Sequence, residues 1–313
     1  MAGFFGVSPQ DLPAFLDNHL MRVDISFPKR SNPSGQIRYD WWGVGFSTIE
    51  EGYFIIDAPL SGDKDLDKFT WPDPYSPDLL DFAKQVVEVY GDEYFIVPNF
   101  GWALFERAWS LRGFEQFLID MALDTSFVES LLDRILEIQL ALIDRFIALG
   151  VNGGYFGDDY GAQKGLLFSP QMWRKLIKPR LQRFFAPFLE RGLPVILHSD
   201  GQIQQIIPDL IEIGLTTLNP VQPEVLDHLQ LREQFGDSLS YYGGISKQTV
   251  LPRGTREQVS AAVKECIRSL APERTGVLLS PSHRLMTDIP MINVDTLVSN
   301  FIEMEKQSQN KNN

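Results

Sequence analysis

From about residue 94 the chain keeps a rhythm that few folds accommodate. Six short β-rich runs, each closed by Gly, Pro, Asn or Asp, alternate with longer segments of helical period. The runs are YFIVPN (94–99), GGYFGDD (153–159), PVILHSD (194–200), LTTLNP (215–220), LSYYGGI (239–245) and VLLSPSH (277–283). Helices are expected over 102–122, 126–148, 170–190, 202–213, 224–235, 255–270 and 293–305. Ser169 before Pro170, and Thr255 followed by Glu257 and Gln258, are start signals for two of them. Mostly apolar strands separated by helices imply parallel pairing with both faces covered. Repetition of six such units without reversal favours a closed (β/α)8 barrel of TIM type over a doubly wound open sheet. No G-x-G-x-x-G follows a strand, which argues against a dinucleotide site.

The first 93 residues are less regular. RVDISF (22–27), YDWWGVGF (39–46) and YFIIDAPL (53–60) read as strands or hairpin arms, and DKDLDKFTWPDPYSPD as an acidic, proline-punctuated connection. The 313 residues therefore read as a single barrel domain: an irregular 1–93, regular β/α units over 94–305 and a frayed tail at 306–313. With 41 acidic against 28 basic residues the net charge is -13, which repels phosphate backbones, so nucleic acid is not an expected partner. A single cysteine, Cys266, excludes an internal disulfide framework and any site built from several thiolates of one chain. Pro9, Asp11 and Pro13 interrupt the amino terminus, and no apolar stretch approaches the roughly 18 residues a membrane span needs. The expectation is a soluble, cytoplasmic protein with no membrane partner.

In a barrel of this kind the active site collects at the carboxyl ends of the strands. That rule selects His198 and Asp200 after one strand, Asp158 and Asp159 after another, His283 after a third, and Asn99 and Asn219 in similar places. Two histidines and one carboxylate are ordinary zinc ligands, so His198, Asp200 and His283 are the candidate metal set, with one position open for substrate. A histidine at a strand end can equally be a hydrogen-bonded structural residue. Alternation points only one of Asp158 and Asp159 toward the barrel axis, leaving the other as a cap. The inward one, if buried near other carboxylates, would have a raised pKa and serve as general acid or substrate anchor. Asp158, Asp159 and His283 are thus the catalytic candidates. Asn99, Phe100, Trp102, Glu106, Tyr160, Asn219 and Tyr241 are candidate substrate contacts, with core packing as the alternative for the aromatic residues. Glu106 either reaches the barrel mouth or stabilises a helix amino terminus. His19, His228 and Cys266 lie in helical patterns and receive no role.

These residues carry a resemblance. DWWGVGF, WPDP, LFERAWSLRGFEQFL, GDDYGAQKGLLFSPQMWRKLIKPRL, HSDGQIQQIIPDLIEIGLTTLNPVQPE, YGGISKQTVLPRGT and LLSPSHRLMTDIP, in this order over about residues 20 to 305, resemble the uroporphyrinogen decarboxylase superfamily. That group contains the decarboxylases of haem synthesis and zinc-dependent methyltransferases that serve a corrinoid protein or coenzyme M. In the methyltransferase branch a His-x-Cys pair and a late third ligand hold zinc. The resemblance puts His198 on the histidine, Asp200 where the cysteine stands, and His283 at the third position. An oxygen donor in place of a thiolate implies weaker zinc binding and a more electrophilic ion. In the decarboxylase branch a histidine at the place of His283 helps hold substrate without metal.

The arginine-bearing MRQAGR segment of the porphyrinogen decarboxylases has no counterpart in MRVDISFPKR, and an octa-carboxylate substrate would meet an acidic protein without its clamps. HLMRVDIS resembles the superfamily's HLGVDIR region, which implies a barrel whose first βα unit is lacking or replaced, or covered by a partner. The expected function is methyl transfer from a small methoxylated or methylated substrate to a corrinoid protein, an O-demethylase type of reaction, with zinc as cofactor. The alternatives are a cofactor-free decarboxylase and a non-catalytic binding homologue. The reading leaves room for a homodimer.

Overall fold

The structure is a computed structural model that describes residues 1–7, 12, 16, 18–49, 51–273 and 275–309, with side chains of the last helix to residue 304. The chain divides into two compact units, one of residues 22–159 and 168–195, the other of residues 1–21, 160–167 and 196–313. β1 (Leu20–Val23) falls at the boundary, in the segment where the resemblance left the first strand open.

The unit beginning at residue 22 opens with an antiparallel sheet, β2 (Arg30–Ser31), β3 (Ile37–Tyr39), β4 (Gly45–Ser47) and β5 (Ile55–Asp57), paired in that order. YDWWGVGF is therefore two strands joined by a turn. The Asp40 carboxylate accepts the amides of Trp42 and Val44, both at 2.9 Å, and Gly43 adopts φ 80 between them. A helix the sequence reading did not anticipate, Asp81–Tyr90, follows.

β6 (Phe95–Gly101) and β7 (Gly154–Gly157) pair in parallel, Gly101 opposite Gly157. Of the helix expected over 102–122 there are two, Phe105–Arg112 and Phe114–Leu123, divided at Gly113, whose φ of 93 no helix allows. The helix expected over 126–148 spans Thr125–Leu149, begun by the Asp124 side chain on the Phe127 amide and ended by Gly150 at φ 89. The segment 170–190 also breaks in two, Pro170–Leu176 and Lys178–Leu189, because Pro179 has no amide to continue the ladder. Ser169 caps the first of these through Met172, as its place before Pro170 predicts. Phe156 of β7 lies among Phe184, Phe185 and Phe188 of the second, all fully buried.

The other unit contains a two-residue hairpin, β8 (Gly161–Ala162) with β9 (Gly165–Leu166), and the strands β10 (Val195–His198), β11 (Thr217–Asn219), β12 (Ser240–Ile245) and β13 (Val277–Pro281). The last four pair in parallel in chain order, with His198 opposite Asn219, Leu218 opposite Tyr241 and Ile245 opposite Pro281. Parallel register puts all four carboxyl ends on one edge, and this places the candidate metal set. Thr255 and Gln258 form the reciprocal capping box of helix Arg256–Leu270, which packs with helix Met291–Gln309. The tail expected at 306–313 is helical to Gln309, and residues 310–313 lie outside the described residues.

All six strands expected after residue 94 are present, their ends shifted by at most two residues. With β1 they make seven strands that alternate with helices along the chain, where the expected barrel class has eight. Among the described residues no helix is long and apolar enough to cross a membrane.

Candidate metal centre and carboxylate cluster

In the unit beginning at residue 22, β7 runs directly into Asp158 and Asp159. Asp158 is fully buried, and its two oxygens accept the amides of Phe105 (2.8 Å) and Glu106 (2.7 Å), the first two residues of a helix. A carboxylate satisfies those orphan amides and complements the positive end of the helix dipole. Asp158 is therefore the residue that seats helix Phe105–Arg112. Asp159 is half-buried and turns its amide to the Glu106 carboxyl.

Glu106 is itself buried, and its pKa stands well above 4.5, because burial penalises its charge and Asp159 and Asp158 repel it, outweighing the pull of Arg107. Since the folded pKa exceeds the unfolded one, the stability Glu106 contributes is complete below about pH 4.5 and is lost as pH rises through the folded value. Glu106→Gln protein is accordingly expected to gain stability over wild type as pH rises from 5 to 9, read as urea midpoints. Parallel profiles for the two proteins would contradict the assignment.

On the other unit's strand edge, β10 ends at His198 and continues through Ser199 to Asp200, while β13 leads to His283. One ligand atom from each of His198, Asp200 and His283 lies within 4.8 Å of the others. His283 Nε2 stands 3.8 Å from an Asp200 oxygen, and the two imidazole centroids are 5.9 Å apart. Ligands about 2.0–2.1 Å from a tetrahedral ion are about 3.3 Å from one another, so small side-chain rotations close this set on zinc. The donors, two nitrogens and one oxygen, suit zinc as well, and both the Asp200 and His283 side chains are about one-third exposed, which leaves an approach open.

Asn219 selects the histidine nitrogen that would be offered to a metal ion. Its amide nitrogen donates to the Tyr242 carbonyl (2.8 Å), which turns its oxygen to His198 Nδ1 at 2.6 Å. Nδ1 then carries the proton and Nε2 is left as the candidate ligand atom, the arrangement by which outer hydrogen bonds orient metal-binding histidines. Asn219 was expected at the substrate, and the structure shows it bound to His198, directly opposite in register.

The turn after Asp200 is fixed by backbone contact. Gly201 has φ 82, and a Cβ there would run into the Gly161 carbonyl group. The adjacent Gln202 amide donates to the Ala162 carbonyl, and Gln222 accepts the Gly201 amide at 3.4 Å while its own Nε2 is buried with no hydrogen-bond partner among the described residues. Gly201→Ala should cost about 1–3 kcal/mol in backbone conformation alone, with the clash added, and should weaken zinc retention by displacing Asp200. Unchanged urea midpoint and zinc affinity would refute this.

Several other expected contacts are core residues by position. Tyr160 is fully buried, and its amide donates to Ser199 Oγ. Tyr241 is 2% exposed, its hydroxyl donates to the Leu231 carbonyl, and burial pushes its pKa up to about 12. Phe100 stacks on Phe156 and meets Phe146 edge to face. Asn99 donates to Asp24 at 2.7 Å. Trp102 is half-buried at φ 60, with Phe46, Tyr53 and Trp109 around its ring. His19 precedes β1 outside any helix, whereas His228 opens helix His228–Phe235 and Cys266 is buried in Arg256–Leu270. Sequence reasoning missed Gln222, although it follows a strand end and the strand-end rule could have reached it.

Residues 41–303, a span containing both the carboxylate cluster and the candidate metal set, match uroporphyrinogen decarboxylase (URO-D). The chain belongs to the uroporphyrinogen decarboxylase family. Among solved structures, this family member is similar to a methyltransferase from Methanosarcina mazei, with TM-score 0.70 and 20% identity over 95% of this chain and 83% of that one. It is also similar to a B12-independent methionine synthase from Shewanella sp. W3-18-1, solved with selenomethionine, at TM-score 0.50 and 12% identity over 74% and 67% of the two chains. Likeness at these identities establishes the fold, the TIM-type (β/α) class, with seven of its strands in this family member. Comparison with curated proteins found no match.

Proposed function

We propose that this member of the uroporphyrinogen decarboxylase family is a zinc-dependent methyltransferase, or demethylase, that moves a methyl group from a small methoxylated or methylated compound to a corrinoid protein. The observation that carries the reading is the meeting of His198, Asp200 and His283 within 4.8 Å at one strand edge. A fold shared with a methyltransferase from Methanosarcina mazei supports it. His198 Nε2, an Asp200 oxygen and His283 Nε2 would hold the zinc, which when bound supplies Lewis-acid activation of the heteroatom bearing the methyl group.

Asn219 holds the His198 tautomer. The Gly201 turn and Gln222 hold the Asp200 backbone. Of the two adjacent aspartates, Asp158 is committed to two helix amides, so Asp159 is the one we assign to substrate positioning. Glu106, whose pKa burial and the neighbouring Asp159 and Asp158 raise well above 4.5, is a carboxyl that holds its proton more firmly than an ordinary glutamate. A reaction that depends on a reduced corrinoid suits the cytoplasm.

Two measurements on purified protein test the reading: zinc content, and methylation of reduced cobalamin in the presence of methoxylated compounds, followed by the cobalamin spectrum. About one zinc per chain and zinc-dependent methylation are expected. Full activity in metal-stripped protein, or decarboxylation of uroporphyrinogen in its place, would overturn it.

A further inference from the structure

Several half-buried and buried cations among the described residues have carboxylate partners, Arg107 with Asp40, Arg112 with Asp120 and Arg180 with Asp133, and half-buried Arg145 donates to the Pro74 carbonyl oxygen. Lys247 differs. It lies two residues past the end of β12, on the edge that carries His198 and His283, and it is only half-buried. Its amide donates to Ser282 Oγ at 3.2 Å and its ammonium contacts Met286 Sδ at 3.3 Å. Lys247 is thus fastened to the His283 loop one residue before that histidine and three residues after it. Among the described residues no carboxylate lies within 4.0 Å of the ammonium.

A thioether is a weak acceptor and does little to offset the solvation an ammonium loses on partial burial. An anion would offset it, through a charge-assisted hydrogen bond. In a chain of net charge -13 such a group does not attract anions from a distance, so its effect is confined to a ligand already beside it.

We infer that Lys247 binds an acid group of the methyl donor, so that the preferred substrates are methoxylated acids, carboxylates or sulfonates, over neutral methyl ethers. The inference rests on the proposed methyl transfer at His198, Asp200 and His283, and it names the substrate class of that site.

The test is calorimetric binding of methoxyacetate, 3-methoxybenzoate and 2-methoxyethanesulfonate, each against a neutral counterpart, 2-methoxyethanol or 3-methoxybenzyl alcohol, with zinc-loaded and zinc-free full-length protein. At least one acid is expected to bind about tenfold or more tightly than its counterpart, as a hydrogen bond to a charged group provides. The carboxylate and sulfonate arms show which acid fits. Lys247→Met, which keeps the apolar stem against Met286, should erase the preference, and Lys247→Arg should keep most of it, with the melting temperature of both near wild type. Equal binding of acids and neutral ethers, no binding of any acid, or a preference that survives in Lys247→Met would overturn the inference. Failure of the underlying methyl transfer looks different: the acid preference and its loss in Lys247→Met persist, but wild-type protein neither retains zinc nor methylates cobalamin.

Discussion

His198→Ala protein is expected to lose zinc affinity by more than about 100-fold, since that is the upper range for losing only an outer hydrogen-bond partner of a ligand. Its zinc-dependent methyl transfer should fall at least as far. The expectation follows from a set of three donors: without the imidazole, one nitrogen and one oxygen remain, and two protein ligands do not close a zinc site. Asn219→Leu provides an internal scale. It leaves all three donors in place and removes only the acceptor on His198 Nδ1, so its loss should lie in the range of about 10–100-fold. Competition with a chromophoric chelator measures both. Equal affinities for wild type and His198→Ala would exclude the imidazole as a ligand.

Asp158→Ala is expected to show the largest loss of stability of any single change in the carboxylate cluster. Both oxygens of this fully buried carboxylate are engaged by helix amides, and alanine leaves two buried donors without acceptors. At about 1–3 kcal/mol for each unsatisfied group, the cost is about 2–6 kcal/mol, read as a shift in urea midpoint. Asp158→Asn should recover part of it, because its carbonyl oxygen serves one amide while its own amino group faces the other. A midpoint within error of wild type for Asp158→Ala would show that the helix start is satisfied in another way. The variant also separates structure from chemistry, since a catalytic role for Asp158 alone would lower turnover with stability intact.

The strand-end rule found His198, Asp200 and His283 because parallel strands in chain order bring their carboxyl ends to one edge, and that order was legible in the alternation of apolar runs and helices. What a residue does at that edge depends on register, which a single sequence does not reveal. Asn219 was recognised as a rim residue, yet its role follows from lying opposite His198 rather than one position away. Tyr160 and Tyr241 have their hydroxyl-bearing rings on the buried side of their segments, a choice of face that periodicity left open in runs too short to show alternation. Gly113 and Pro179, both visible in the sequence, divide two segments read as continuous helices, since the helical apolar period runs across each break. Helix Asp81–Tyr90 escaped notice because it buries only Ala83 and Val86 and follows a proline-rich acidic connection. In YDWWGVGF the turn held by Asp40 was concealed by aromatic residues of high strand preference.

The central claim, that the two imidazoles and the Asp200 carboxylate share one ion, is tested most directly by X-ray absorption at the zinc edge of zinc-loaded protein. The predicted result is a four-coordinate zinc with scattering from two imidazole rings and from oxygen, at about 2.0–2.1 Å, and no sulfur shell. A sulfur shell at about 2.3 Å, which only the buried Cys266 thiol or the thioethers could supply, or a shell without imidazole scattering, would contradict it.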